Sequence, residues 1–291
     1  MDRLEAMSLF VAAVEAGSLS AAARRFGIPL ATVSRKVSDL ERHLNTRLLN
    51  RSTRRLTPTD AGVAYLAACR RILDDVGEAE RAAAGEYSAP TGELAITAPV
   101  VFGRLHVLPV ITGFLAAYPD VDIRLTLADR ITQLVEDHFD LALRIGQLPD
   151  SSLVAIAVGS IRRVVCASPA YLAAHGTPSN LSDLDHHTCI VFARGRERYP
   201  WRFHRGQKAV SYMPRGSLLT GDAEHVRAAV LCGLGVAQAP RWLLEDEIRS
   251  GQVSVLLPAL QPERLPLNIV YAAGRRVPMR VRVLIDYLLA Q

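Results

Sequence analysis

The sequence predicts two kinds of structure in one chain. The first is a small, mainly α, winged helix-turn-helix unit at the amino end. The second is a larger two-lobed α/β unit, reached through one long helix. Three observations carry this. Two short amphipathic segments meet at the breaker cluster Gly27-Ile28-Pro29, which cannot continue a helix. Leu66, Cys69, Leu73 and Val76 recur at three-four-three spacing along a polar segment. Beyond Gly92 the pattern alternates between strand-like and helix-like stretches.

In order, residues 4–16 predict a first helix, with Met7, Phe10, Val11 and Val14 as its buried stripe and Gly17 as its stop. Ser18 is placed to cap the second helix, since its hydroxyl accepts an orphan N–H. Residues 31–44 predict a third helix. Val33, Val37, Leu40 and Leu44 form one apolar face, and Thr32, Ser34, Arg35, Ser38 and Arg42 lie on the other. Two helices joined by a tight Gly-containing turn form the pattern whose second helix enters the DNA major groove. Residues 49–57 predict a hairpin wing carrying Arg51, Arg54 and Arg55, suited to the phosphate backbone or a narrow minor groove. Thr57 and Pro58 are then expected to open a long helix to about residue 86, with Asp60 complementing its dipole. Residues 87–92 are expected to be a hinge.

Charge points the same way. Between Arg24 and Arg55 there are nine basic and two acidic side chains, a sum of +7 against +5 for all 291 residues, so the remainder sums to −2. Positive charge concentrated in one small segment is what phosphate contact requires. A helical hairpin with a solvated basic face is the alternative reading of the helices alone.

The apolar fraction of 49% supports sizeable cores. The segment after Met1 does not read as a signal peptide. No apolar run is expected to reach the ~18 residues that span a bilayer. The expectation is a cytoplasmic protein with no membrane partner. Cys69, Cys166, Cys189 and Cys232 are far apart and form no CxxC pair, so free and mostly buried thiols are expected. His186, His187 and Cys189 have no further clustered ligands, so neither a metal nor a cofactor is expected.

In the second half, residues 94–98, 121–127 and 141–145 predict strands, and 100–118 and 131–138 predict helices. Residues 158–167 and 267–273 are expected to pass between two lobes. Residues 189–192, 209–214, 235–239 and 253–257 would supply second-lobe strands around a helix at 222–232, with a last helix at 278–290. Alternating units of this kind predict a mostly parallel sheet flanked by helices.

The amino-terminal quarter also resembles a known family. Phe10 through Ala23, Val33-Ser34-Arg35-Lys36-Val37, Leu40 through Leu44, and Arg47 through Gly62 are similar, without gaps, to the DNA-binding domain of the LysR-type transcriptional regulators. The resemblance implies a DNA-binding domain at 1–58, a linker and dimerisation helix at 59–87, and an effector domain at 88–291. That domain has lobe I at about 91–162 and 268–291, lobe II at about 163–267, and a likeness to periplasmic binding proteins. Double-stranded DNA contacts are implied for Leu30, Ala31, Thr32, Ser34, Arg35, Ser38, Arg51, Arg54 and Arg55. Many members carry Ser-Gln-Pro where this chain has Pro29-Leu30-Ala31. A Gln that would read adenine is therefore absent, and Leu30 or Ala31 is placed against a thymine methyl. Dimerisation is implied for Leu66, Cys69, Leu73 and Val76, giving a homodimer and then a homotetramer. RNA polymerase is a further implied partner.

Ligands of open α/β folds bind at strand carboxyl ends near helix N-termini. By analogy with the family this selects Ala98, Pro99, Val100, Arg144, Gly146, Thr220, Gly221, Asp222 and Pro240, with Arg144 as the cationic anchor. A small organic acid or an aromatic effector is expected. Two other readings stay open: a DNA-binding regulator without a ligand, and an enzyme on the α/β unit. No GxSxG, Walker or HExxH motif supports the enzyme, and Gly233-Leu234-Gly235 precedes a strand rather than opening a helix.

Overall fold

The computed structural model describes residues 2–51, 56–83, 89–130, 133–134, 136–194, 197–206, 208–273 and 277–290. They divide into two compact units, residues 1–92 with 278–280, and residues 93–277 with 281–291.

The first unit contains α1 (Arg3–Glu15), α2 (Leu19–Phe26), α3 (Leu30–His43), β1 (Leu49–Arg51), β2 (Leu56–Pro58) and α4 (Asp60–Ala83). Caps set the helix boundaries. Asp2 accepts the N–H groups of Leu4 and Glu5, and Ser18 accepts those of Ser20 and Ala21. Gly27 ends α2 at φ +65°, a conformation that penalises any side chain. The core closes over Phe10, Leu9, Val33, Val37, Leu40 and Leu48, all essentially inaccessible. Truncating Phe10 to Ala there costs about 3–5 kcal/mol.

Two expectations for this unit change. Residues 9–14 of α1 are an unbroken apolar run, so spacing could not single out a face. The fully buried set is Ala6, Leu9, Phe10, Ala12 and Ala13, while Met7, Val11 and Val14 are only partly covered. The cap of α4 is Thr59, whose Oγ1 accepts Gly62 N–H at 3.0 Å, and not Thr57. Pro58 instead ends β2 opposite Leu49. A ladder end tolerates a residue with no N–H.

The second unit is built on two sheets. In lobe I the strand order is Val121–Leu127, Gly92–Ala98, Leu141–Ile145, Leu265–Ala272, Leu153–Ile161. Leu94, Ile96 and Ala98 bury one face of this sheet against Phe102, Val107, Ile111 and Phe114 and against Leu284 and Ile285 of the last helix, Met279–Leu289. In lobe II the order is Leu218–Thr220, Cys189–Arg194, Val236–Pro240, Arg163–Ala167, Ser254–Leu256. One face packs under the helix Ala223–Leu231. The other packs under the hairpin of Trp201–Arg205 and Lys208–Tyr212.

The sheets are mixed rather than mostly parallel. Gly92–Ala98 runs parallel to Leu141–Ile145, but Leu265–Ala272 is antiparallel to both its neighbours, because it returns from lobe II in the opposite sense. The strand expected at 158–167 is two strands broken at Arg162, one in each sheet. The short helix expected at 131–138 falls partly outside the described residues. Its described part is a turn, held by Asp137 accepting Gln133 N–H and closed at His138 with φ +58°.

The helix Val100–Ala117 is 18 residues long and apolar enough to cross a bilayer, contrary to the expectation from sequence. Phe102, Val107, Ile111 and Phe114 cover the lobe I sheet, while Val100, Leu105 and Leu108 of the same helix are exposed. Gly103 lets it approach closely, since a Cβ there would lie 2.3 Å from Leu127 Cδ2. The turn Gly103–Val107 is widened to a π turn just before Pro109, which has no N–H to return to the preceding turn.

Candidate functional site

In α3, Val33, Val37 and Leu40 are buried, so helical periodicity turns Ala31, Arg35, Ser38 and Arg42 outward as one row. Leu30 is 49% exposed at the first turn, where Pro29 offers no side-chain cap. Ala31 and Arg35 are exposed, and Thr32, Ser34 and Ser38 half-exposed. Ser38 Oγ donates to the Ser34 carbonyl at 2.8 Å, so part of its donor capacity is spent locally.

The nine cationic groups of this segment divide into three sets. Lys36 pairs with Glu5 of α1, Arg25 with Glu15, and Arg42 with Asp39. Arg24, Arg35 and Arg47 are exposed and make no ion pair among the described residues. Arg54, Arg55 and the side chain of Arg51 lie outside what the structure describes. The wing is nevertheless anchored, because Glu41 Oε1 accepts both Leu48 N–H at 2.9 Å and Leu49 N–H at 3.0 Å.

On α4 the expected dimerisation stripe splits. Cys69 is fully buried within its own unit, and burial holds its thiol up at about 11. It therefore cannot meet a second chain, which corrects that assignment. Leu66 lies partly buried on the same core. Leu73 and Val76 are half-buried, and Val63 and Ile72 are large apolar residues of α4 that are exposed. The three-four-three pattern merges a seam with a core contact, since both need an apolar residue on the helix.

In the second unit the parallel pairings bring strand carboxyl ends together. Ala98 and Gly146 share one edge of lobe I, and Thr220, Phe192 and Pro240 share one edge of lobe II. Ala98 is buried, and Pro99 caps the following helix without a side-chain hydrogen bond. Val100 is 37% exposed, and its N–H donates to Asp129 Oδ1 at 3.0 Å. Arg144 is half-buried, with Nη1 3.4 Å from the Leu143 carbonyl. Gly146 takes φ +108°, and its carbonyl accepts from Asn268 Nδ2 at 3.3 Å. Thr220 Oγ1 accepts Asp222 N–H at 3.2 Å and lies 3.1 Å from His225 Nδ1. Asp222 caps the helix Ala223–Leu231 through Glu224 N–H at 2.7 Å. At Gly221 a Cβ would lie 3.1 Å from the Ala193 carbonyl. Pro240 ends its strand opposite Arg163 and caps the turn Arg241–Leu244.

Several residues here escaped the sequence reading. Val101 of the first-lobe helix packs in the second-lobe core. Trp242 stacks edge-on to His106 and Phe102 at centroid distances of 5.0 and 5.6 Å. Arg104 reaches Glu224 at 3.6 Å. Phe192 is 40% exposed. Pro99 was the one local signal: a cap without a side-chain acceptor needs a distant one, here Asp129. His187 and Cys189 do not gather with His186 about a common point, since His187 Nδ1 faces Tyr171 Oη at 3.2 Å and Cys189 is buried.

Comparison with known proteins agrees over both units. Residues 4–63 match the family described as bacterial regulatory helix-turn-helix protein, lysR family, and residues 88–291 match the LysR substrate binding domain. An HTH-type transcriptional regulator of Xanthomonas campestris pv. campestris is 36% identical over 97% of this chain and 83% of its own length. CrgA, a LysR-type transcriptional regulator from Neisseria meningitidis, is 31% identical with a TM-score of 0.62, covering 98% of this chain and 97% of that one. The full-length structure of the Vibrio cholerae virulence activator AphB gives 28% identity and a TM-score of 0.61, covering 99% of each chain. The chain belongs to the LysR family of bacterial transcriptional regulators, with a helix-turn-helix DNA-binding domain and a substrate-binding effector domain.

Proposed function

We propose that α3 is the recognition helix. Leu30, Ala31, Thr32, Ser34, Arg35 and Ser38 meet base edges and phosphates of double-stranded DNA, and Arg51, Arg54 and Arg55 of the wing follow the backbone. The observation that carries this is the outward row on α3 with Arg35 free of any ion pair among the described residues. A guanidinium left unspent by its own fold is available to guanine or phosphate. The domain limits at 58 and 87 belong to the same reading.

The effector-binding cleft is the edge where Ala98, Pro99, Val100, Arg144 and Gly146 face Thr220, Gly221, Asp222 and Pro240. A small organic effector there shifts the protein between forms that differ in promoter binding. The protein acts in the cytoplasm as a homodimer, through Val63, Ile72, Leu73 and Val76 of α4, and as a homotetramer on DNA. RNA polymerase is its partner at the promoter.

Fluorescence anisotropy on DNA recovered by genome-wide footprinting tests the DNA reader. Arg54→Ala should weaken binding to all sequences and lower the salt slope by about 1. A variant with the wild-type salt slope would remove the wing from the interface.

A further inference from the structure

We infer that the cleft takes an uncharged ligand with an aromatic or branched apolar body and discriminates against a carboxylate. This rests on the effector reading of the second unit and narrows it to one ligand class.

A helix N-terminus normally attracts an anion, through its unpaired N–H groups and its dipole. Both helices that open on this cleft already hold a carboxylate of the chain itself. Asp129 Oδ1 occupies Val100 N–H at 3.0 Å, and Asp222 Oδ1 occupies Glu224 N–H at 2.7 Å and His225 N–H at 3.4 Å. Glu224 adds a third acidic group beside the second helix start, and its charge is met by Arg104 at 3.6 Å and Arg227 at 2.8 Å. A ligand carboxylate seated at either helix start would lie within a few ångströms of Asp129 or Asp222. At the partly screened dielectric of a protein surface, such a like-charge contact weakens binding by tenfold or more.

Apolar surface is exposed at the same strand ends, alongside Arg144 and Thr220. Val100 is 37% exposed and Phe192 40% exposed. Strand alternation puts Phe192 on the same face as Ile190, which packs in the cluster that also holds Val101. Each lobe thus exposes one apolar side chain near the strand ends that the proposed cleft joins.

Benzoate and benzamide share one shape and differ in charge, so they make the test. Both are titrated into the full-length protein by calorimetry, with Asp129→Asn and Phe192→Ala alongside. Benzamide should bind at least tenfold more tightly than benzoate. Asp129→Asn should narrow that gap by strengthening benzoate, and Phe192→Ala should weaken benzamide. Benzoate binding as tightly as benzamide to the wild type would overturn the inference, and loss of that binding in Arg144→Ala would assign the site to acids instead. Silence from both compounds also counts against the apolar assignment. In that case a metabolite that shifts promoter binding and fails with Thr220→Ala leaves the effector reading standing, whereas a promoter response unaffected by any metabolite removes both.

Discussion

Glu41 Oε1, on α3, lies 2.9 Å from the backbone nitrogen of Leu48, and the same oxygen takes the N–H of Leu49. One side chain thus fixes where the wing leaves α3. Glu41→Ala would orphan two half-buried N–H groups and is expected to destabilise the DNA-binding domain by about 1–3 kcal/mol. Urea denaturation measures this, and anisotropy should show weaker DNA binding from a misplaced wing. An unchanged midpoint would mean that water replaces the carboxylate at no cost.

Arg35 and Lys36 are neighbours in sequence with opposite expected phenotypes. Arg35 is exposed and free of ion pairs among the described residues, whereas Lys36 pairs with Glu5 of α1. Arg35→Ala should cost about 1–3 kcal/mol at a specific site and relax preference at one base position. Lys36→Ala should leave sequence preference unaltered and change stability by about 0.2–1 kcal/mol. Binding-site selection with both variants separates these outcomes.

The four thiols should react in a fixed order. Cys232 is exposed, while Cys69, Cys166 and Cys189 are buried. Burial holds Cys69 up at about 11 and Cys166 at about 12, and raises Cys189. At pH 8 a thiol at 11 is thiolate about one part in a thousand. Iodoacetamide with mass spectrometry should show one fast site, Cys232, and three that react only on unfolding.

Stability of the effector domain should fall on acidification below about 6.5. Burial lowers His106 from its usual 6.5, and burial with nearby His175 lowers His187. As pH drops through 6.5, the unfolded chain takes up protons that the folded chain refuses, so the contribution is complete above 6.5 and is lost below it. His106→Phe keeps the ring beside Phe102 and Trp242 and should flatten part of that slope in thermal melts at pH 5 to 7.5. His187 would carry the remainder.

The amino-terminal fold was legible because its signals are local. Ser18, Gly27 and the Val33-Val37-Leu40 stripe each act within a few residues, and each formed the feature it implied. Position 69 was misread because a seam residue and a core residue look alike in one strand of text. The strands of the second unit were legible in outline only. Strand carboxyl ends could be named, but Asp129 caps Val100 from 29 residues away, and no pattern within either segment joins them.

The sequence by itself determined the helices of the first unit, where positive charge gathers, and which face of α3 turns outward, since caps, spacing and composition act over a few residues. Tertiary structure decided how that charge is spent. It left Arg35 without an ion pair among the described residues while tying Lys36 to Glu5, buried Cys69 within its own unit, and set the carboxylates of Asp129 and Asp222 on the helix starts at Val100 and Ala223. Coulombic and hydrogen-bond energies depend on distance in space, and chain folding sets those distances between residues that are remote in sequence.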